Sequence, residues 1–129
     1  MWRVLLALPL VIAACGPDET ISGYADPAAT YGLVQMNGAD FDATATIRFP
    51  AKGAVQGQGP CNAYLASQSA PYPWFDLGPV QATRMACPAL GDETRFFENL
   101  VQMTLAEVSG DVLILSNDAG DQMVFQARD

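Results

Sequence analysis

The most constraining feature of this chain is a series of short strand-forming runs, separated by turn signals, that begins near residue 30. Residues 31–36 form one run, which ends at the turn dipeptide Asn37-Gly38. Residues 43–49 alternate small or apolar side chains with polar ones, as in a half-buried strand. The runs 112–116 and 122–126 flank a loop at 117–121. Short turns of this kind join antiparallel strands, so the sequence predicts a mainly β fold.

Further extended runs are predicted at 54–57, 62–66, 74–77 and 80–83. The segment 92–103 differs from all of them, because Phe96, Leu100 and Met103 follow one another at helical spacing. Asp92 is the predicted N-cap, and Glu93 suits the positive end of the helix dipole. The predicted fold is therefore α+β but mainly β: a small antiparallel curved sheet, or a barrel-like one, with one covering helix.

The amino terminus has the proportions of an export signal. Arg3 gives it a positive start, and residues 4–14 form an apolar run broken only by Pro9. Eleven helical residues rise about 16 Å, roughly half of a ~30 Å hydrocarbon core, so this run is too short to span a bilayer. The sequence predicts a signal peptide over residues 1–14.

The end of that signal resembles a bacterial lipobox. Ile12-Ala13-Ala14 places one aliphatic and two small residues directly before Cys15. The resemblance implies cleavage before Cys15 and lipidation of its thiol, and two or three acyl chains make membrane attachment stable. An ordinary cleaved signal with a coincidental cysteine is the alternative. Gly16 follows instead of the Asp typical of inner-membrane retention, which favours the periplasmic face of the outer membrane.

Residues 15–29 carry turn formers and charge without an apolar period, which predicts a lipidated amino terminus followed by a flexible tether. The folded domain is then expected over residues 30–129. One domain agrees with the length of 129 residues.

Composition excludes several activities. The chain holds 14 acidic and six basic residues and no histidine, so nucleic acid is not an expected partner and the commonest general base is missing. The glycine-rich stretch 53–59 lacks the Lys-Ser/Thr ending of a phosphate-binding loop. The acidic pairs at 40–42 and 118–121 lack a full calcium ligand series and are interpreted as turns. We expect no catalytic residue, metal or cofactor.

Three blocks together resemble the META/HslJ domain family. They are residues 57–64, which contain Gly-Pro-Cys-Asn, residues 82–88, which contain Met-Ala-Cys, and Glu93 with the aromatic residues that follow it. The resemblance covers about residues 30–127. It implies a small antiparallel β fold with one helix, and a setting in envelope stress, drug tolerance or virulence. The family has no established catalytic residue, so none is carried over.

The cysteine count supports a disulfide. If lipid occupies Cys15, then Cys61 and Cys87 are left as a pair in an oxidising compartment, where a bond between them is expected. A zinc site finds no histidine and no C-x-x-C motif. A nucleophilic cysteine activated by Arg84 is the remaining alternative.

Three functions follow as hypotheses. The first is a non-enzymatic module, expected to be monomeric, that binds an envelope protein or peptide and acts in folding or stress tolerance. The second is a small-ligand or lipid-binding module with an open apolar cavity between sheet and helix, near Phe96 and Leu100. The third is a hydrolase using acidic residues such as Asp76 and Glu93, which requires two carboxylates facing each other in a cleft.

Overall fold

The structure is a computed structural model that describes residues 17–128. The predicted signal peptide, the predicted lipidation site Cys15, and Asp129 lie outside the described residues. Within residues 17–128, no helix combines the length and the apolar character needed to cross a bilayer.

The described chain contains nine strands, one α-helix and a short 3-10 helix. The strands are β1 (Thr30–Met36), β2 (Ala39–Asp40), β3 (Thr46–Ile47), β4 (Ala54–Gln58), β5 (Ala63–Ser67), β6 (Gln81–Ala82), β7 (Leu105–Ser109), β8 (Val112–Ser116) and β9 (Gln122–Arg128). The α-helix α1 is Leu90–Leu100, and the 3-10 helix is Ile21–Gly23.

All strand pairs are antiparallel, which confirms the predicted fold class. One sheet has the order β2-β1-β9-β8-β7, with β3 also paired to β1, and the other has the order β4-β5-β6. A bridge between Arg48 and Gln56 connects the two sheets. Among the described residues the strands do not close into a barrel.

Helix α1 covers the core, as the apolar spacing predicts. Phe96 and Leu100 have no exposed surface, and Phe96 contacts the rings of Phe41 and Tyr64. The helix begins two residues before the predicted cap: Ala89 holds the N-cap position, and Asp92 lies in the first turn. Asp92 therefore cannot act as the cap, and its carboxylate pairs with Arg95 instead.

The Asn37-Gly38 turn is confirmed. Asn37 has φ 52° and Gly38 has φ 80°, and two consecutive positive φ values are what a tight hairpin turn between twisted strands requires. The side chain of Asn37 also accepts a hydrogen bond from the backbone N–H of Gln122, at 2.9 Å. The turn thereby connects β1 to the start of β9.

The strand predictions need correction in several places, since β2 was not predicted and the run 43–49 forms a strand only at Thr46–Ile47. Residues 74–77 do not form a strand, because only isolated bridges occur there, from Trp74 to Leu105 and from Leu77 to Gln68. Strand β7 was not predicted, although it pairs with β8 over all five of its residues. The segment 72–75 follows the outer edge of β7, with Ala106 N–H donating to Pro73 at 2.8 Å. Irregular chain rather than a further strand therefore covers that edge.

The prediction of a flexible tether is wrong for residues 20–29. Ile21, Ala25 and Ala29 are buried in the core, and Thr20 and Ser22 are buried beside them. The carboxylate of Asp18 accepts hydrogen bonds from the backbone of Thr20 and from the hydroxyls of Thr20 and Ser22. Hydrogen bonds to the Asp18 carboxylate order the start of this segment, and the buried side chains of Ile21, Ala25 and Ala29, spaced four residues apart, hold it on the domain.

Candidate functional site

A buried carboxylate lies where α1 meets the start of β5. Glu93 is 4% exposed, and its Oε1 accepts hydrogen bonds from the backbone N–H groups of Cys61 and Asn62, at 3.0 and 2.7 Å. Its Oε2 accepts a third from Nδ2 of Asn62, at 2.7 Å. Three donors compensate the desolvation of the carboxylate, so Glu93 joins the helix to the chain before β5.

Asn62 extends this arrangement to the segment after β6. Its Oδ1 accepts hydrogen bonds from the Thr83 hydroxyl at 2.9 Å and from Met85 N–H at 2.7 Å. Its Nδ2 donates to the carbonyl oxygen of Met85 at 2.9 Å, as well as to Glu93. One buried amide therefore fixes the path of residues 83–85, which otherwise lie on the surface.

The expected cysteine pair adds a covalent connection at the same place. Cys61 and Cys87, 26 positions apart in sequence, are joined by a disulfide, with Cα atoms 5.7 Å apart. Cys61 is buried and Cys87 is half-buried. The bond and the Asn62 contacts hold the two ends of segment 83–87, and a disulfide leaves no thiol here for the alternative of a nucleophilic cysteine.

The two carboxylates considered for a hydrolase, Glu93 and Asp76, lie in different environments. Both oxygens of Glu93 are taken by amide donors, and Asp76 is exposed, with its backbone N–H bonded to Gln68. Burial raises the pKa of the Tyr64 hydroxyl above its usual range, and this hydroxyl donates to the Thr46 carbonyl at 2.7 Å. Within residues 17–128, no group of three or more acidic or cysteine side chains is placed to hold a metal ion. Glu93 and Tyr64 thus serve the fold.

A groove of about 370 Å³ lies beside this arrangement, between segment 80–86 and α1. Its lining residues are Asn62, Val80, Ala82, Thr83, Arg84, Met85, Ala86, Leu90, Glu93 and Phe97. Met85 and Leu90 are 64% and 43% exposed, although both are apolar. A second hollow of about 400 Å³ adjoins β5 and β6 and shares Ala82 and Thr83 with the groove. Leu65, 54% exposed, lines that hollow.

Strand β6 forms the outer edge of the smaller sheet. Thr83 N–H donates to Ala63 of β5, and Ala82 lies opposite Tyr64. Because alternate residues of an antiparallel strand direct their backbone groups to opposite sides, the N–H and C=O of Ala82 face away from β5. An unpaired strand edge and exposed apolar side chains therefore occur together in this groove.

Sequence reasoning found the participants of this site but not its arrangement. Glu93 was singled out as a helix-dipole residue or an acid, and Asn62 only as part of the family resemblance. Their contact joins residues 31 positions apart, which no local pattern reveals. Of the aromatic residues in strand-like runs, Tyr64 and Phe75 are core residues, whereas Trp74 is 58% exposed.

The fold and this site define a small, mainly β domain in which a buried carboxylate joins the α-helix to the chain before β5 and a disulfide joins the segment preceding that helix to the same place. A family model described as the META domain matches residues 26–129. The chain belongs to the META domain family. The match starts four residues before β1, so it includes part of the docked amino-terminal segment.

Solved structures show the same fold. A protein from Burkholderia xenovorans, solved by NMR, is 20% identical with a TM-score of 0.63, and the match covers 78% of this chain and 81% of that one. A DUF4847 family protein from Bacteroides vulgatus, solved by crystallography, is 14% identical with a TM-score of 0.67, and the match covers 82% and 98%. A comparison with curated proteins finds no match.

Proposed function

We propose that this protein is a lipid-anchored bacterial envelope lipoprotein whose META domain is a non-enzymatic interaction module. Its ligand in this proposal is an extended segment of a partner protein, bound along the edge of β6 in the groove beside α1. The observation that carries the proposal is the open backbone edge at Ala82 next to the exposed side chains of Met85 and Leu90.

Main-chain pairing would supply the affinity of such a complex. An added strand can exchange hydrogen bonds with the outward-facing N–H and C=O of Ala82. The bonds from Asn62 to Thr83 and Met85 order the receiving segment beforehand, which reduces the entropy lost on binding. A preordered edge favours recognition of an extended chain.

The side chains around the edge favour a partner segment that carries apolar residues and one acidic residue. Met85 and Leu90 offer apolar surface in the groove, and Leu65 does so in the adjoining hollow. Arg84 brings a positive charge to the groove lining of a chain whose net charge is −8. A negatively charged side chain on the partner would therefore meet its complement here.

The alternative function, a small-ligand or lipid-binding module, needs an apolar cavity between sheet and helix. The positions expected to line it, Phe96 and Leu100, are fully buried, and the aromatic rings of Phe41, Tyr64 and Phe97 lie against Phe96. Side chains thus fill the space near these two residues. This packing favours the interaction module.

Site-specific photo-crosslinking in intact envelopes tests the proposal. A photoreactive phenylalanine derivative replaces Met85 in one variant and Leu65 in a second. Val101, which is 49% exposed and does not line the groove, provides the control position. We expect one discrete protein adduct from positions 85 and 65 and none from position 101. Equal labelling from all three, or none from 85 and 65, would contradict the groove.

Two further measurements separate the parts of the proposal. Ala82→Pro removes the outward-facing N–H, and we expect it to weaken the adduct at position 85, whereas Ala82→Ser preserves the adduct. Unfolding curves for both variants show whether the fold is kept. Mass spectrometry of the mature protein tests the anchor separately, since an amino terminus other than lipid-modified Cys15 would contradict it.

A further inference from the structure

Tyr24 and Tyr72 stack beside the docked amino-terminal segment, and an exposed tryptophan follows Tyr72 two residues later. Tyr24 stacks on Tyr72, with ring centroids 4.1 Å apart and planes 14° from parallel. Trp74 lies two residues after Tyr72 and is 58% exposed, and Tyr24 is 54% exposed. We call Tyr24, Tyr72 and Trp74 the aromatic platform. The domain thus leaves two large aromatic side chains more than half exposed near its amino-terminal segment, where their apolar rings are open to a partner surface.

The aromatic platform is held rigidly and close to the amino terminus. The backbone N–H of Tyr72 donates to the carbonyl oxygen of Glu19 at 2.7 Å. The hydroxyl of Tyr72 accepts a hydrogen bond from Val108 N–H in β7, at 3.0 Å. The platform is thus connected both to the sheet and to the segment that leads back to Cys15.

The number of residues after Cys15 limits how far the aromatic platform can lie from the membrane. Glu19 bonds to Tyr72 and Thr20 is buried, so only residues 16–18 lie between Cys15 and the docked segment. Four residue steps reach at most about 14 Å when fully extended. If Cys15 carries lipid, as the proposed function holds and as this step requires, the end of the domain near Glu19 must face the bilayer.

We propose that the aromatic platform docks into the interfacial layer of the same bilayer that carries the acyl chains. Tyr and Trp prefer this layer because their rings are apolar and their polar groups stay hydrated. Lys52 provides positive charge at this end, but Asp18 and Glu19 outnumber it. The docking is therefore aromatic rather than electrostatic. A short tether raises the local concentration to about millimolar, so weak insertion suffices.

Trp74 is itself the reporter for the test, since the other tryptophan, Trp2, lies in the predicted signal peptide. The chain from Cys15 onward is coupled through that thiol to maleimide lipids in phosphatidylcholine vesicles, with the Cys61–Cys87 disulfide intact. We expect Trp74 emission to move to shorter wavelength, acrylamide quenching to fall, and shallow spin-labelled lipids to quench the emission. Replacing a fifth of the phosphatidylcholine with phosphatidylglycerol should not strengthen these changes.

Matched variants identify the surface. Tyr24→Ser should lower the docked-to-undocked ratio about tenfold, the effect of losing one partly buried aromatic side chain. Val101→Ser is the control, because Val101 follows α1 near Asn99, whose side chain contacts the Asn37 turn at the far end of β1. We expect Val101→Ser to dock like the parent chain.

Several results would overturn the inference. Trp74 emission that is unchanged between vesicle-coupled and uncoupled chain would do so, as would equal losses from Tyr24→Ser and Val101→Ser. A response to soluble N-acetylglucosamine oligosaccharides in place of vesicles would assign the platform to glycan binding instead. The vesicle experiment attaches the lipid to Cys15 chemically, so it tests docking even if cells do not lipidate Cys15. Lipidation in cells is tested separately by mass spectrometry of the mature protein.

Discussion

Glu93 on α1 and Asn62 before β5 are joined by two hydrogen bonds, one from the backbone N–H and one from the side-chain amide, each 2.7 Å long. The same carboxylate accepts a third bond from Cys61 N–H. A single acidic residue therefore connects the helix, the smaller sheet and the disulfide.

Replacing Glu93 should destabilise the fold strongly. Glu93→Gln keeps the shape, but one carboxylate oxygen becomes an NH2 group facing N–H donors. We expect a loss of about 2–3 kcal/mol in the free energy of unfolding, typical of hydrogen bonds to a charged group. Glu93→Ala should lose more, about 3–5 kcal/mol, because it leaves buried N–H groups unpaired.

Denaturant titration measures both variants, and Glu98→Gln is the matched control. Glu98 lies on the same helix and is exposed, so its substitution should change the unfolding free energy by less than about 0.5 kcal/mol. If Glu93→Gln unfolds at the same denaturant concentration as Glu98→Gln, the buried carboxylate does not stabilise the fold as described.

The disulfide should contribute to stability through the unfolded chain. A disulfide between residues 26 positions apart lowers the entropy of the unfolded chain. In the loop-entropy model this raises the free energy of unfolding by about 3.5 kcal/mol. We expect the Cys61→Ser, Cys87→Ser double variant to lose about this amount, measured by urea unfolding without reductant. Adding reductant to the parent chain should reproduce the loss and should leave the double variant unchanged. A parent chain indifferent to reductant would contradict this prediction.

Coupling between the disulfide and Glu93 is a separate expectation. Because Cys61 N–H donates a hydrogen bond to Glu93, removing the disulfide should allow Cys61 to move and should weaken that hydrogen bond. A double-mutant cycle combining the two changes should therefore give a total loss smaller than the sum of the single losses, by about 0.5 kcal/mol or more. Strict additivity would show that the two connections act independently.

Two glycines should respond in opposite directions to alanine. A methyl group at Gly57 would overlap the Thr46 carbonyl oxygen and the Tyr64 hydroxyl, which bond to each other. We expect Gly57→Ala to lower the free energy of unfolding by about 3 kcal/mol, since the backbone at Thr46 cannot move aside as a flexible side chain could. Gly91 lies in α1 with nothing within 4 Å of an added methyl group, so Gly91→Ala should stabilise by about 0.5–1 kcal/mol. Thermal unfolding of the pair tests both signs, and a stabilising Gly57→Ala would exclude the described packing.

The sequence predicted those parts of the fold that depend on interactions between residues close together in the chain. Asn37-Gly38 can adopt two positive φ values at little cost, so its turn is readable in the sequence. The spacing of Phe96 and Leu100 likewise sets the buried face of α1. Strand β7 has weaker signals: it alternates only partly, and its pairing depends on β8 and on the segment around Pro73.

Long-range contacts explain what the sequence did not reveal. The candidate groove depends on Asn62 bonding to Met85, 23 positions away, and no periodicity reports that contact. The docking of residues 20–29 depends on Ile21 and two alanines finding places in a core built by later strands. A short segment with three apolar residues among turn formers and charges resembles a linker in composition, which is why it was interpreted as one.

Acid should release the amino-terminal segment. Burial raises the pKa of the Asp18 carboxyl, but hydrogen bonds from Ser22 and Thr20 together lower it further, so the pKa lies below its ordinary value of 3.8. A carboxyl whose pKa is lower in the folded than in the unfolded chain stabilises the fold at neutral pH. That stabilisation is lost as the pH falls from about 3.8 through the folded pKa.

Asp18→Asn should remove this contribution to the pH dependence of the amino-terminal segment's stability. Hydrogen exchange at residues 20–25 measures the release, with residues 112–116 as the internal reference. Exchange at 20–25 that accelerates in acid equally in Asp18→Asn and the parent chain would assign the effect to another group.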